Sequence, residues 1–101
     1  MQEIKNEITH FFLSTNYPNP FNPTTTINFT LPVEGIVTLK VFDIQGRELR
    51  TLLNEGRNVG THSLTFQGDD LSNGVYFLRF MVNAQSGENL YSKVSKLVLM
   101  K

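Results

Sequence analysis

Hydrophobic and polar residues alternate with period two along most of this chain. In segment 26–31, TINFTL, Ile27, Phe29 and Leu31 alternate with polar partners. Segment 36–43, IVTLKVFD, sets Val37, Leu39 and Val41 on one side and Thr38 and Lys40 on the other. Segment 61–67, THSLTFQ, sets Leu64 and Phe66 against Ser63 and Thr65. Successive side chains of a strand point to opposite faces, so this alternation predicts half-buried strands. Segment 75–82, VYFLRFMV, is apolar on both sides except at Arg79. It predicts a central strand with Tyr76, Leu78, Phe80 and Val82 toward the core. Segment 90–100, LYSKVSKLVLM, predicts a further β-rich run. ELRTLL at 48–53 fits a helical turn as well as a strand, and its length and neighbours favour the strand.

Turn-forming residues divide these runs at short intervals: Pro32-Val33-Glu34-Gly35, Asp43-Ile44-Gln45-Gly46, Asn54-Glu55-Gly56, Gly68-Asp69-Asp70, Ser72-Asn73-Gly74 and Gln85-Ser86-Gly87-Glu88-Asn89. Gly46 is free to take the left-handed conformation that a tight hairpin needs. From 14 to 101 no helical period persists beyond a few residues. Short strands at this spacing predict an all-β fold, an immunoglobulin-like antiparallel β-sandwich of about seven strands. Residues 1–13 read as a linker or tail and 14–101 as the domain. In LSNGVY, Gly74 stands two positions before Tyr76 at the start of the most apolar run. This is the pattern of a tyrosine corner, with the hydroxyl bonded back to nearby backbone and the ring an anchor of the core.

Residues 16–25, NYPNPFNPTT, hold Pro18, Pro20 and Pro23. Proline fixes its own φ and drives the residue before it out of the helical region. The stretch is therefore expected to be stiff and irregular, laying the chain along the sandwich edge before the 26–31 strand. Phe21, flanked by prolines, reads as a plug at the end of the core. Pro20-Phe21-Asn22-Pro23 also fits the P-x-x-P ligand pattern, but no basic residue flanks it.

Composition narrows the function. The 101 residues suffice for one domain. Nine basic and nine acidic residues cancel and are scattered, which leaves no electrostatic footprint for nucleic acid. The absence of cysteine removes disulfides, thiolate nucleophiles and cysteine-based metal sites. No apolar run approaches the ~20 residues of a membrane-spanning helix. Glu3 and Glu7 stand where a signal peptide would be basic, so an export signal is expected elsewhere, or the chain is a piece of a longer one.

Candidate chemistry is sparse, and no catalytic, cofactor or metal site is expected. His10 and His62 are not spaced as a metal pair, and His62 shares a strand face with Leu64 and Phe66 as a core-edge residue. Asp69-Asp70 lacks the alternating ligands of a calcium loop and reads as a solvated turn pair. No nucleophile elbow or phosphate loop occurs. Asn28-Phe29-Thr30 fits the glycosylation pattern, a three-residue match of little weight. Tyr17, Phe21 and Tyr91 are candidate exposed rings on which a sugar could stack.

Taken in order, NYPNPFNPTT, INFTLP, VTLKVFDIQGRELRTL, GTHSLTFQGDDLSNGVYFLRF and the closing KLVLMK closely resemble one family. It is the type A C-terminal sorting domain of the type IX secretion system, found in Bacteroidetes and related bacteria. The resemblance spans residues 14–101, and at the level of fold alone extends to the immunoglobulin-like module of the flagellar hook-cap protein. It implies a non-enzymatic domain at the C-terminus of a secreted cargo protein. Such a domain is read in the periplasm by the outer-membrane translocon, then usually removed by a sortase-like protease, leaving the cargo released or on the cell surface. The resemblance sets Gly74 and Tyr76 on the family's glycine-x-tyrosine motif and Arg47 and Glu48 on its hairpin motif. It sets Lys96, Leu97, Val98, Leu99, Met100 and Lys101 on the terminal motif needed for export. Gly46, Gly74 and Tyr76 have an equally good reason in backbone geometry and packing. The alternatives are a carbohydrate-binding or adhesive module of a larger secreted enzyme, or a plain structural spacer.

Overall fold

A computed structural model of the chain describes residues 9–16 and 24–101. Seven strands run β1 (Phe12–Asn16), β2 (Thr24–Leu31), β3 (Gly35–Phe42), β4 (Glu48–Arg57), β5 (Gly60–Gln67), β6 (Gly74–Asn83) and β7 (Asn89–Leu99), with no helix among the described residues. They form a three-stranded sheet ordered β1-β2-β5 and a four-stranded sheet ordered β4-β3-β6-β7. Every neighbouring pair is antiparallel. The chain crosses between sheets after β2, β4 and β5, which makes the fold the expected β-sandwich.

The alternation read from the sequence sorts the side chains as expected. Ile27, Phe29 and Leu31 of one sheet and Val37, Leu39, Val41, Leu78, Phe80 and Val82 of the other are fully enclosed. Tyr76, Leu97 and Leu99 complete the four-stranded half of the core, and Leu13 and Phe66 the other half. Burying one such aliphatic or aromatic side chain stabilises the fold by about 1.5–3 kcal/mol. The rings of Phe29 and Phe80 meet across the two sheets at 5.5 Å.

Three local features depart from the pattern. Strand β1 opens at Phe12, ahead of the Ser14 expected as the start of the domain, and Leu13 is buried opposite Phe29. FLSTN is too short to show a period, so its pairing with β2 defines it. The turn expected at Asn54-Glu55-Gly56 is instead part of β4, opposite Thr38, Val37 and Ile36. A glycine is tolerated in an exposed edge strand, and the chain turns later, at Asn58-Val59. Finally, ELRTLL is a strand with two bulges. Leu52 and Leu49 are the extra residues, between Leu53 and Thr51 and between Arg50 and Glu48. Each bulge breaks the period of two, which is why the segment reads ambiguously by period alone.

Gly35 begins β3 with no room for a side chain beside β6. A Cβ there would stand 2.7 Å from Val82 Cγ1 and 3.0 Å from the Asn83 carbonyl oxygen. Gly35→Ala is expected to lower stability by about 1–3 kcal/mol through overpacking. Urea unfolding checks this, and an unchanged midpoint would show that β6 gives way freely.

Candidate functional site

The β3–β4 hairpin is organised by one carboxylate. Asp43 Oδ1 accepts from the backbone N–H of Gln45 (2.9 Å) and Arg47 (3.0 Å), and Oδ2 accepts from Arg47 Nε at 2.8 Å. The Gly46 N–H donates to the Asp43 carbonyl at 3.0 Å, and Gly46 takes φ = 86°. A residue with a Cβ is strained in that region, so the turn favours glycine for geometry alone. Glu48 accepts from Lys40 Nζ (3.1 Å) and Thr51 Oγ1 (2.9 Å) just beyond the turn.

Next to the hairpin, Tyr76 makes the predicted corner: its hydroxyl donates to the Ser72 carbonyl at 2.6 Å. Gly74 takes φ = 150° as the chain enters β6. Strand β7 then pairs along β6, with Leu97 opposite Tyr76, Val98 opposite Val75 and Leu99 opposite Gly74. Leu97 and Leu99 turn inward, at 5% and 7% exposure, while Lys96, Val98, Met100 and Lys101 are exposed. Two contacts pin the end of the chain. The Lys101 backbone N–H donates to Asn73 Oδ1 at 2.9 Å, and Lys101 Nζ donates to the Asp69 carbonyl at 2.5 Å.

These blocks, distant in sequence, share one end of the sandwich. Asp43, Ile44, Gln45 and Arg47 face Asn73, Gly74 and Tyr76 across a cavity of about 330 Å³. Thr24, the first residue of β2, pairs with Gln67, whose carbonyl accepts from Arg50 Nη1 at 3.0 Å, and Arg50 also pairs with Asp70. The NYPNPFNPTT stretch therefore leads into β2 at this same end, as expected, and it does so from a further strand, β1, that pairs with β2. Pro18, Pro20, Phe21 and Pro23 themselves lie outside the described residues, as does Tyr17.

The carboxylates of this end are tuned by their partners. Asp43 is held below its ordinary pKa chiefly by the backbone N–H of Arg47, with the Arg47 guanidinium and the Gln45 N–H adding to it against partial desolvation. Lys40, then Thr51, lower Glu48, and Arg50 lowers Asp70. A carboxyl easier to ionise in the folded state adds stability that is complete above the unfolded pKa and disappears as pH falls through the folded one. The stability difference between the wild type and Asp43→Asn is thus expected to be greatest near neutral pH and to shrink below about pH 4. Chemical denaturation at several pH values measures it. A difference constant down to pH 2 would show that the charge of Asp43 does not matter.

The remaining candidates have structural surroundings. His62 stacks on Phe29 at 5.2 Å, and its Nε2 lies 2.9 Å from the Asn58 carbonyl. Tyr91 is half-buried, stacked on Phe11 at 4.8 Å and edge-on to Phe80 at 5.8 Å. Among the described residues no cluster of three or more His, Cys, Asp or Glu could hold a metal ion, and no helix is long and apolar enough to cross a membrane. Sequence reasoning missed Asn73 and Asp69 as the holders of Lys101. Their local signal was only that of turn residues, and the contacts span 28 and 32 positions.

A family model described as the secretion system C-terminal sorting domain matches residues 15–99. No curated protein matches the chain.

Proposed function

The chain belongs to the family of secretion system C-terminal sorting domains, which serve type IX secretion, and from that premise we propose that it is the address of an N-terminal cargo protein. In this reading the domain contributes no catalysis. It is carried to the periplasm, engages the outer-membrane translocon and is afterwards removed by a sortase-like protease, leaving the cargo outside the cell.

The observation that best supports this reading is the gathering of the hairpin, SNGVY and terminal blocks at one end of the sandwich. A label read by another protein needs a rigid, composite surface more than it needs a cleft. Within the terminal segment, Leu97 and Leu99 serve the fold, as do Gly74 and Tyr76. Lys96, Val98, Met100 and Lys101 are the side chains offered to a reader.

The test attaches the full chain to the C-terminus of a periplasmic reporter carrying its own signal peptide. The reporter is expected in the medium or on the surface of a type IX-competent bacterium and in the periplasm of a strain lacking the translocon. Periplasmic retention in both strains would overturn the proposal.

A further inference from the structure

Strand β6 is apolar on both faces, and the core uses only one of them. On the outer face Phe77 lies between Phe42 of β3 and Lys96 of β7, and Arg79 lies between Lys40 and Val94. Together with Asp43, Ile44 and Gly46 of the hairpin, Phe42, Phe77, Arg79 and Val94 line a shallow cavity of about 370 Å³. Val94 is 58% and Ile44 70% exposed, apolar surface that gains nothing from contact with water.

Arg79 is the polar centre of this face. Its guanidinium lies 4.9 Å from the Phe42 ring centroid. Its Nε is shielded from solvent and has no hydrogen-bond partner among the described residues. Glu48 feels the charge of Arg79 but is already engaged by Lys40 and Thr51. An N–H withdrawn from water without an acceptor is costly, so Arg79 gains by turning its guanidinium outward to an acceptor that a docked surface supplies. The face also carries an excess of positive charge: Lys40, Arg79 and Lys96 stand against Glu48, and the Asp43 carboxylate on the cavity rim is already paired with Arg47.

We infer that this outer face docks a protein surface presenting a carboxylate surrounded by apolar side chains. The carboxylate accepts from Arg79, and the apolar groups cover Phe42, Phe77 and Val94. A second copy of the chain fits poorly, because self-docking would bring two cation-rich faces together. The inference rests on the sorting-domain reading and makes the partner a component of the secretion machinery.

The reporter fusion tests it with Arg79→Glu, Val94→Glu and Ile44→Glu. Each is expected to reduce the exported fraction at least about tenfold, the scale of a lost central contact. Val59→Glu, an equally exposed valine between β4 and β5, is expected to leave export unchanged. Thermal unfolding of the purified chains identifies any variant that fails to fold. Ile44 lies in an exposed turn, so at least that variant remains readable. If the wild-type fusion is not exported, the sorting reading itself fails. If the wild type and the folded variants are exported alike, this inference alone fails. Two other results would overturn it by giving the face another occupant. One is a dimer in sedimentation equilibrium that Val94→Glu dissociates. The other is flotation of the chain with phosphatidylglycerol vesicles that Arg79→Glu abolishes.

Discussion

Replacing Leu97 and Leu99 together with alanine is expected to unfold the domain or leave it barely stable. Both side chains point into the core from the last strand, opposite Tyr76 and Gly74. A buried Leu→Ala change costs about 2–5 kcal/mol, because transfer free energy is lost and a cavity is left. A domain of this size has only about 5–15 kcal/mol to lose. The two sites are neighbours and will not add strictly, yet even a partial sum removes most of the margin. Lys96→Ala and Val98→Ala, on the outward face of the same strand, are expected to stay within about 0.5 kcal/mol of the wild type. Urea denaturation of the four proteins measures the contrast. A double variant with a wild-type midpoint would show that the terminal strand stands outside the cooperative core. The contrast matters for export. Deleting residues 96–101 removes core and label together, so its loss of export would not separate them, whereas outward substitutions leave the core intact.

The second large effect is expected at Phe80. Its side chain is fully enclosed in the middle of β6 and meets Phe29 of the opposite sheet and Tyr91 of β7. Phe80→Ala is expected to cost about 3–5 kcal/mol, with a matching fall in the thermal midpoint. Phe77→Ala, three residues earlier on the outer face, removes the same ring from a half-buried site and is expected to cost clearly less. Equal losses at the two positions would mean that the outer face is as tightly packed as the core.

Much of the fold was legible because a strand's side-chain period is local. In TINFTL and IVTLKVF the period of two alone identifies the buried set. Tyr76 was legible for a similar reason, since its corner closes on Ser72, four residues upstream. Where the period is broken, legibility fails: at β4 two bulges shift the register, and at β1 only five residues pair. The candidate site divides in the same way. The hairpin and SNGVY blocks could be recognised individually, since each is a local turn with glycine where the backbone requires it. That Asn73 holds Lys101, and that the hairpin lies beside them, follows from pairings no local pattern encodes.

By itself, then, the sequence determined the strands, the inward face of most of them and membership of a sorting-domain family, because each depends on residue types at short spacing. Tertiary structure alone decided the rest. It drew Leu13 into the core, split the terminal segment into inward leucines and outward Lys96, Val98 and Met100, and left Arg79 Nε without an acceptor on an apolar face. Those outcomes depend on which strands become neighbours. The long-range packing of two sheets sets that choice, and the order of side chains along any one strand does not contain it.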